Sequence, residues 1–337
     1  MRYKQLGYSG LSVSELCLGT MIFGEDSKRS TPADEAEKII HHYLDLGGNH
    51  IDTANVYAGG RSEEIVGKAI QDRRDQVVLA TKVRFAMGDG PNDQGLSRHH
   101  ILHSVEDSLR RLKTDYIDLL YMHCWDPLTP IEESLNAFND MVTQGKIRYI
   151  GVSNFKAWQL MKALAVSDAN GWARFIAAQY QYSLVVRDIE DEFIDLCLSE
   201  GLGITPWGPL GGGFLSGKYR ADQRPDEPGE GRLATTPDRD EEAWARRATV
   251  KNWQLLEVIQ QIITELPAAT YSQIALAWVL AQPGVDSVVL GVRTIEQLQD
   301  NLGSADLHLT EAQIEKLNKA SATEKGYPYR FLELYGS

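Results

Sequence analysis

Three ionisable side chains end short apolar runs in this chain of 337 residues, and a tyrosine follows one of them. Asp52 ends the second run and is soon followed by Tyr57. Lys82 ends the third run and His123 the fourth. A tyrosine, with a pKa near ~10, is a poor acid at neutral pH, but a nearby ammonium group favours phenolate and lowers that pKa. A carboxylate keeps the ammonium charged, and a neutral imidazole can hydrogen-bond a carbonyl oxygen.

Together these groups can protonate a carbonyl oxygen as negative charge develops on it. They include no nucleophile and no metal-ligand cluster, so another group must attack the carbonyl carbon, and nicotinamide hydride is the natural candidate. Each residue also has an ordinary interpretation. Asp52 could close a turn, Tyr57 could pack, Lys82 could be a solvated strand end and His123 a hydrogen-bonded core histidine. Their common position after successive apolar runs favours a joint function.

The elements that must position these residues are eight short runs rich in Ile, Val, Leu and Tyr. They show little alternation, which is typical of parallel strands buried on both faces. The predicted strands are residues 15–19, 50–53, 77–82, 116–123, 147–153, 175–180, 203–207 and 287–291. Amphipathic stretches between and after them predict helices over 33–46, 98–112, 131–144, 157–166, 189–200, 270–281, 295–303 and 311–322, and another helix capped by Ser62.

An eight-fold strand–helix alternation predicts an α/β protein with a closed (β/α)8 TIM barrel, a single domain over residues 1–337. The alternative is an open, doubly wound sheet. Residues 219–247, rich in Arg, Asp, Glu, Pro and Gly, break the rhythm. We expect this 219–247 segment to be either a disordered insertion or a long loop over the active face. In a barrel that face lies at the carboxyl ends of the strands.

Composition limits the partners. With 34 Lys and Arg against 47 Asp and Glu, the net charge of −13 disfavours nucleic acid and anionic membrane surfaces. No apolar run approaches the ~18 residues that cross a bilayer. The start of the chain does not resemble a signal peptide. The three cysteines, Cys17, Cys124 and Cys197, are far apart and suit a reduced, cytoplasmic protein without a structural metal.

Six segments of the chain, in order, resemble the aldo-keto reductase family. They are residues 52–57 (Asp-Thr-Ala-Asn-Val-Tyr) with 60–63, residues 81–82 (Thr-Lys), 118–123 (Asp-Leu-Leu-Tyr-Met-His), 151–155 (Gly-Val-Ser-Asn-Phe), 179–183 (Gln-Tyr-Gln-Tyr-Ser) and 217–219 (Gly-Lys-Tyr). The resemblance implies a catalytic tetrad of Asp52, Tyr57, Lys82 and His123, with Tyr57 as acid/base. It also implies a nicotinamide cofactor bound without a Rossmann fold.

The resemblance assigns cofactor-binding roles along the chain. Ser153, Asn154 and Gln179 would bind the carboxamide, and Trp207 would stack on the nicotinamide; turn capping by Ser153 and core packing of Trp207 are the alternatives. The further predicted cofactor residues are Gly19, Thr20, Met21, Asp52, Gly208, Leu210, Gly211, Leu215, Ser216, Gly217, Lys218, Gly291, Arg293, Gln297, Asp300 and Asn301. Asp300 stands where the family has Glu. Arg293 favours NADPH, with NADH possible, unless it pairs with Glu296 or Asp300.

The expected function is reduction of an aldehyde or ketone, a sugar or an aromatic carbonyl, to an alcohol. Met21, Phe23, Tyr57, His123 and Trp125 are the predicted substrate-pocket residues. One alternative is a cofactor-binding regulatory protein, because channel-associated β subunits share the fold of the family. Another is a metal- or phosphate-dependent barrel lyase or isomerase, which the lack of a ligand cluster disfavours. The sequence leaves open a monomer or a homo-oligomer.

Overall fold

A computed structural model describes residues 1–25, 27, 30–225 and 231–336. The chain begins with an antiparallel hairpin of β1 (Tyr3–Gln5) and β2 (Ser12–Ser14), which the sequence did not predict. Leu6 and Val13 of this hairpin region pack against interior residues of the barrel, among them Leu119. The hairpin therefore contributes apolar side chains to the barrel interior and lies away from the predicted site.

Eight parallel strands form the second sheet, in the order β10-β3-β4-β5-β6-β7-β8-β9. Their bounds are β3 (Leu16–Gly19), β4 (His50–Asp52), β5 (Val78–Val83), β6 (Ile117–Met122), β7 (Ile147–Ser153), β8 (Phe175–Gln179), β9 (Gly203–Ile204) and β10 (Val288–Gly291). The two ends of the sheet are joined, since the Asp286 amide donates to the Ile204 carbonyl at 3.0 Å and the Val289 amide to the Pro206 carbonyl at 2.9 Å. The predicted (β/α)8 barrel is confirmed.

Strand β9 is much shorter than the predicted 203–207 run. Pro206 lacks an amide hydrogen and cannot continue a strand's hydrogen-bond ladder. The chain nevertheless stays beside its neighbour, because the Trp207 amide donates to the Tyr180 carbonyl at 2.9 Å. Trp207 therefore keeps the position beyond the strand end that the prediction required.

Helices cover the barrel strands on the outside. Their bounds are α1 (Ala33–Asp45), α2 (Arg61–Ala69), α3 (Arg98–Leu112), α4 (Ile131–Thr143), α5 (Ala157–Asn170), α6 (Phe193–Glu200), α7 (Arg232–Thr235), α8 (Trp244–Arg247), α9 (Val250–Glu265), α10 (Tyr271–Leu280), α11 (Ile295–Leu302), α12 (Glu311–Ser321) and α13 (Tyr329–Tyr335). Helices α7, α8, α9 and α13 are additions to the predicted set, and the longest of them is α9. Its Thr249 cap accepts a hydrogen bond from the Asn252 amide, and Leu255 and Ile259 are buried.

The 219–247 segment is partly ordered by packing. Within its described residues, 219–225 and 231–247, it forms the short helices α7 and α8, and Leu233 and Trp244 are buried. Residues 226–230, which belong to the predicted loop, lie outside the described residues. In the described part, Gly231, Arg232 and Glu242 line a cavity at the carboxyl ends of the barrel strands. Among the described helices, none has the length and apolar character needed to cross a membrane.

Candidate active site

The carboxyl ends of the barrel strands surround a cavity of about 500 Å³. This is the edge at which barrel enzymes carry out chemistry. The cavity wall includes most of the residues that the sequence predicts for the site. These are Gly19, Thr20, Met21, Asp52, Tyr57, His123, Ser153, Asn154, Gln179, Trp207, Gly208, Leu210, Ser216, Lys218, Gly291, Arg293, Gln297, Asp300 and Asn301.

Lys82 and Asp52 form a buried ion pair beneath this cavity. The Lys82 ammonium lies 2.5 Å from Asp52 Oδ2, and their side chains are 0% and 3% exposed. Parallel pairing of β4 with β5 sets Asp52 opposite Ala80, two residues before Lys82, so the two side chains meet at the carboxyl ends of adjacent strands. The ammonium also donates to the Thr53 carbonyl at 2.9 Å and to Tyr57 Oη at 3.2 Å. All three ammonium hydrogens therefore have acceptors, which a buried charge requires.

Tyr57 is held against Lys82 by an unusual turn. Ala58, Gly59 and Gly60, which follow it directly, have φ angles of 49°, 64° and 99°. Left-handed backbone costs free energy for a residue with a side chain, and such strain gathers at functional sites. The turn leads into helix α2 and leaves the phenol on the cavity wall.

The electrostatics of the pair differ from the sequence-based expectation. Burial raises the pKa of Tyr57, and Lys82 opposes that effect without overcoming it. The expectation of a lowered tyrosine pKa is therefore wrong for this structure. For Lys82, burial alone would lower the pKa, but the charge of Asp52, with Tyr57 next, raises it overall. Tyr57 is consequently a protonated phenol beside a permanently charged ammonium at neutral pH.

His123 is a neutral imidazole on the same wall. Burial, followed by the charges of Lys82 and Arg84, holds the pKa of His123 well below its usual value. Its ring packs edge-on against Phe85 with ring centroids 4.7 Å apart, and against Tyr57 at 6.0 Å. Its buried Nδ1 has no hydrogen-bond partner within the described residues. A neutral imidazole so placed can hydrogen-bond a polar ligand atom without adding charge.

The residues predicted to bind the nicotinamide carboxamide form hydrogen bonds with residues of the tetrad or with one another. Gln179 Nε2 donates to Asp52 Oδ1 at 2.9 Å, so both carboxylate oxygens have partners. Ser153 Oγ donates to the Gln179 carbonyl at 2.7 Å. Asn154 Nδ2 donates to the His123 carbonyl at 2.9 Å. The Ser153 hydroxyl thus donates to the neighbouring strand β8 and not to its own turn, and Ser153 also lines the cavity.

The other end of the cavity carries positive charge. Lys218, Arg232 and Arg293 all line it. Burial, with the charge of Arg293 as the second cause, lowers the pKa of Lys218. The Arg293 amide donates to Gln297 Oε1 at 2.9 Å, and none of the ion pairs among the described residues joins Arg293 to Glu296 or Asp300. Three clustered cations suit a ligand with several phosphate charges.

Besides Lys82, which lies beneath the cavity, five predicted residues lie off the cavity wall. Phe23 is fully buried in the hydrophobic core, because the tight turn in which its amide bonds the Thr20 carbonyl directs it inward. Trp125 packs edge-on against Phe155, with ring centroids 5.0 Å apart. Neither of these two predicted substrate-pocket residues lines the cavity. Gly211, Leu215 and Gly217 belong to the loop behind the wall, where Leu215 is fully buried.

Several wall residues were not among the predicted site residues. They are Ile22, Val56, Phe85, Pro209, Gly212, Gly213, Gly231, Arg232, Glu242, Ser272, Val289 and Leu290. Phe85 lies two residues after the end of β5, so its place after a barrel strand was a usable signal. Arg232 and Glu242 lie in the 219–247 segment, whose path over the barrel no local pattern encodes.

Comparison with known proteins gives the relationships of the chain. A profile of the aldo/keto reductase family matches residues 15–322. The chain is 39% identical over 331 residues to the uncharacterized oxidoreductase YrpG of Bacillus subtilis, covering 94% of this chain and 95% of that protein. It is 36% identical to a probable voltage-gated potassium channel subunit beta of Arabidopsis thaliana, covering 97% and 99%.

A third relative is the aryl-alcohol dehydrogenase [NADP(+)] of Phanerodontia chrysosporium, 32% identical over 97% of this chain and 88% of that protein. The family profile spans all the barrel strands from β3 to β10, and therefore the whole of the cavity described above. The chain thus belongs to the aldo/keto reductase family and is an NAD(P)H-dependent oxidoreductase that acts on carbonyl and CH–OH groups.

Proposed function

We propose that this protein reduces an aromatic aldehyde or ketone to the alcohol with NADPH, and that Tyr57 is the general acid. The observation that carries the proposal is the hydrogen bond from the Lys82 ammonium to Tyr57 Oη at 3.2 Å, on the wall of an apolar cavity. A phenol in contact with a buried ammonium can give up its proton to an oxygen that is gaining negative charge.

Each residue of the tetrad then has a distinct task. Tyr57, protonated because burial raises its pKa, donates its proton to the carbonyl oxygen. Lys82 stabilises the phenolate that remains, and Asp52 keeps Lys82 charged and in place. His123, neutral because burial lowers its pKa, orients the carbonyl oxygen by a hydrogen bond. Proton transfer of this kind accelerates reactions by about 10²–10⁴-fold.

The cavity suits a dinucleotide along its length. Trp207, Asn154 and Gln179 lie at the catalytic end, while Lys218, Arg232 and Arg293 carry positive charge. NADPH, when bound, supplies hydride to the carbonyl carbon. An indole face suits a planar ring and a guanidinium suits a phosphate, which favours Arg293 as the residue that recognises the 2′-phosphate.

The substrate class follows from the walls near Tyr57. Met21, Ile22, Val56, Phe85 and Trp207 are all apolar or aromatic. A sugar would need a set of hydrogen-bond partners there, whereas these side chains favour an aromatic ring. A relative named as an aryl-alcohol dehydrogenase supports the same class. We extend the proposal to one barrel domain over residues 1–337 that contains the 219–247 segment, located in the cytoplasm, where its three free cysteines stay reduced.

The test is NADPH oxidation with a panel of aromatic aldehydes, aromatic ketones and sugars. Aromatic carbonyls should give the highest kcat/KM. In Tyr57→Phe, kcat should fall by about 10²–10⁴-fold, while the NADPH Kd, measured by fluorescence, stays within about twofold. Tyr8→Phe, which removes the hydroxyl of a tyrosine that is 91% exposed, is the matched control and should behave as wild type. A Tyr57→Phe enzyme within threefold of wild type would refute the assignment.

A cofactor-binding regulatory protein is the second candidate. The observation that favours it is the likeness to a probable channel subunit beta over 99% of that protein. The same panel separates the two. Stoichiometric NADPH binding with no turnover of any carbonyl would favour the regulatory function, whereas turnover lost in Tyr57→Phe supports the reductase.

A further inference from the structure

Glu242 is a buried carboxylate on the cavity wall with no role in the reductase chemistry proposed above. It is 3% exposed and lies in the 219–247 segment, immediately before the residues that lead into α8. Its Oε1 would be 3.1 Å from a Cβ placed on Gly208, at the carboxyl end of the seventh barrel strand. Glu242 therefore stands where the segment touches the barrel edge.

One arginine pairs with this carboxylate, and a second arginine is buried in the same segment. Arg232 Nε lies 2.6 Å from Glu242 Oε2, and Arg232 itself lines the cavity. Arg247 is 4% exposed. Burial lowers the pKa of Arg247, and the charge of Glu242 is the largest influence in the opposite direction. A buried carboxylate is costly unless it is paired, so this trio is the electrostatic centre of the segment.

A carboxylate beside a phosphate-binding region would ordinarily repel the ligand. Glu242 is instead paired with a cation on that wall, and the trio keeps a net charge of about +1 by simple valence. Arg232 also acts on the catalytic end, since its charge is among those that lower the pKa of Tyr57 against the larger effect of burial. Arg232, Lys218 and Arg293 line the same cavity, so Arg232 is a further cation available to the diphosphate of a bound dinucleotide.

We propose that Glu242 is a positioning residue, which fixes Arg232 on the cavity wall for contact with the cofactor diphosphate and so links the 219–247 segment to cofactor affinity. This inference rests on the proposed NADPH-dependent function. Glu242 acts through Arg232 and does not touch the reacting atoms. A long arginine side chain that is held in place loses less conformational entropy when it binds an anion, so removal of the holder weakens binding and leaves proton transfer intact.

The decisive experiment is a double-mutant cycle with Glu242→Ala and Arg232→Ala. Kd for NADPH and for NADH is measured by fluorescence, and kcat and KM by NADPH oxidation. Glu242→Ala should raise both Kd values by about tenfold and leave kcat within twofold. In the Arg232→Ala background the same change should raise Kd by less than twofold, because the residue through which Glu242 acts is already gone. A full tenfold effect in that background would overturn the proposal.

Two further variants keep the test sharp. Glu242→Gln retains an oxygen for Arg232 and should raise Kd by no more than about threefold. A folded Glu242→Gln enzyme therefore still tests the proposal if Glu242→Ala does not fold. Glu241→Gln makes the same charge change on the exposed neighbour and should leave Kd unchanged. Equal effects of Glu241→Gln and Glu242→Gln would show a general charge effect and refute positioning. If the wild-type protein did not bind NADPH, the proposed function itself would be refuted. The Kd of the wild-type protein distinguishes that outcome from failure of the positioning proposal.

Discussion

The cavity is bounded by two regions that hold their charges in opposite ways. At the barrel edge, Asp52 and Lys82 are fully buried, and each polar atom of the pair has a partner on a neighbouring strand or turn. In the 219–247 segment, Arg232 is about one-third exposed, and Arg247 keeps two buried nitrogens without hydrogen-bond partners among the described residues. At the barrel edge the buried charges have all their hydrogen-bond partners, whereas in the described part of the 219–247 segment some buried polar atoms have none.

The difference matches the tasks that we assign to the two regions. Proton transfer needs atoms held within fractions of an ångström, which parallel strands locked by hydrogen bonds can provide. Binding and release of a charged cofactor needs cations that can exchange partners, which short helices and loops permit. We therefore expect substitutions at the barrel edge to change kcat and stability, and substitutions in the segment to change cofactor affinity.

The largest effect is expected for Lys82→Met. It removes the donor to Tyr57 Oη and leaves Asp52 as a buried, unpaired charge. We expect kcat to fall by about 10³-fold and the free energy of unfolding to fall by about 3–5 kcal/mol. Steady-state kinetics and urea unfolding measure the two effects.

The double variant Lys82→Met/Asp52→Asn is the control for this prediction. Removing the unpaired charge should restore much of the stability, while kcat stays low. If kcat returned together with stability, the buried pair would be structural only, and the contrast between the two regions would fail.

A smaller effect is expected from acid. Burial lowers the pKa of His50, whose Nδ1 lies 2.8 Å from Ser287 Oγ in the barrel interior, to about 4. An unfolded histidine, with a pKa near ~6.5, takes up a proton in this range that folded His50 does not, so stability is complete above about pH 6.5 and falls as pH drops towards 4. At pH 5 the loss from His50 should be about 2 kcal/mol relative to pH 7.5, by urea unfolding.

The 219–247 segment contains no histidine, so this acid sensitivity belongs to the barrel. His50→Gln should remove the His50 share of the pH dependence and leave that of His123, whose pKa is also lowered by burial, whereas His103→Gln, at an exposed position on α3, should leave it unchanged. An unaltered slope in His50→Gln would mean that other groups, such as carboxylates, cause the loss.

At the cationic end, Arg293→Ala should raise the KM for NADPH about tenfold and leave the KM for NADH within twofold. A guanidinium bound to the 2′-phosphate contributes only to NADPH binding, and one charge-assisted hydrogen bond accounts for about this factor. Steady-state kinetics with both cofactors at saturating substrate give the ratio. Equal losses for the two cofactors would place Arg293 on a phosphate that both share.

The smallest effect is expected for Arg224→Ala, on the outer surface of the segment. Arg224 Nη2 lies 2.9 Å from Asp238 Oδ1, with both side chains more than half exposed. Exposed pairs contribute about 0–1 kcal/mol, so unfolding and NADPH affinity should scarcely change. A marked loss of NADPH affinity would show that the whole segment, and not the Glu242–Arg232 pair, sets cofactor binding.

Much of the fold was predictable because its signals are local. Buried parallel strands are continuous apolar runs, and seven of the eight barrel strands lie within one or two residues of their predicted ends. The eighth, β9, ends before Pro206. The proline in the sequence already indicated that the strand would be shorter than the apolar run. Helix α9 carries buried Leu255, Ile259 and Ile262 at helical spacing, so its pattern could have been found. The short hairpin β1–β2 has too few residues to show a pattern.

The tetrad could be proposed from sequence because strand ends are readable and a barrel brings them to one edge. Asp52, Tyr57, Lys82 and His123 do meet there. The electrostatic outcome could not be read in this way. Whether Lys82 or burial controls the pKa of Tyr57 depends on how completely packing removes water from the phenol, and here burial has the larger effect.

The sequence by itself therefore determined the barrel, the order of its elements and the polar residues at its active edge, since these depend on short-range pattern and chain order. Only the tertiary structure decided that Phe85 faces the cavity while Phe23 is in the core, and that Glu242 meets Arg232. Such contacts depend on the three-dimensional course of turns and loops. Side-chain direction and burial, which set both packing and charge, arise only when the whole chain has closed around its core.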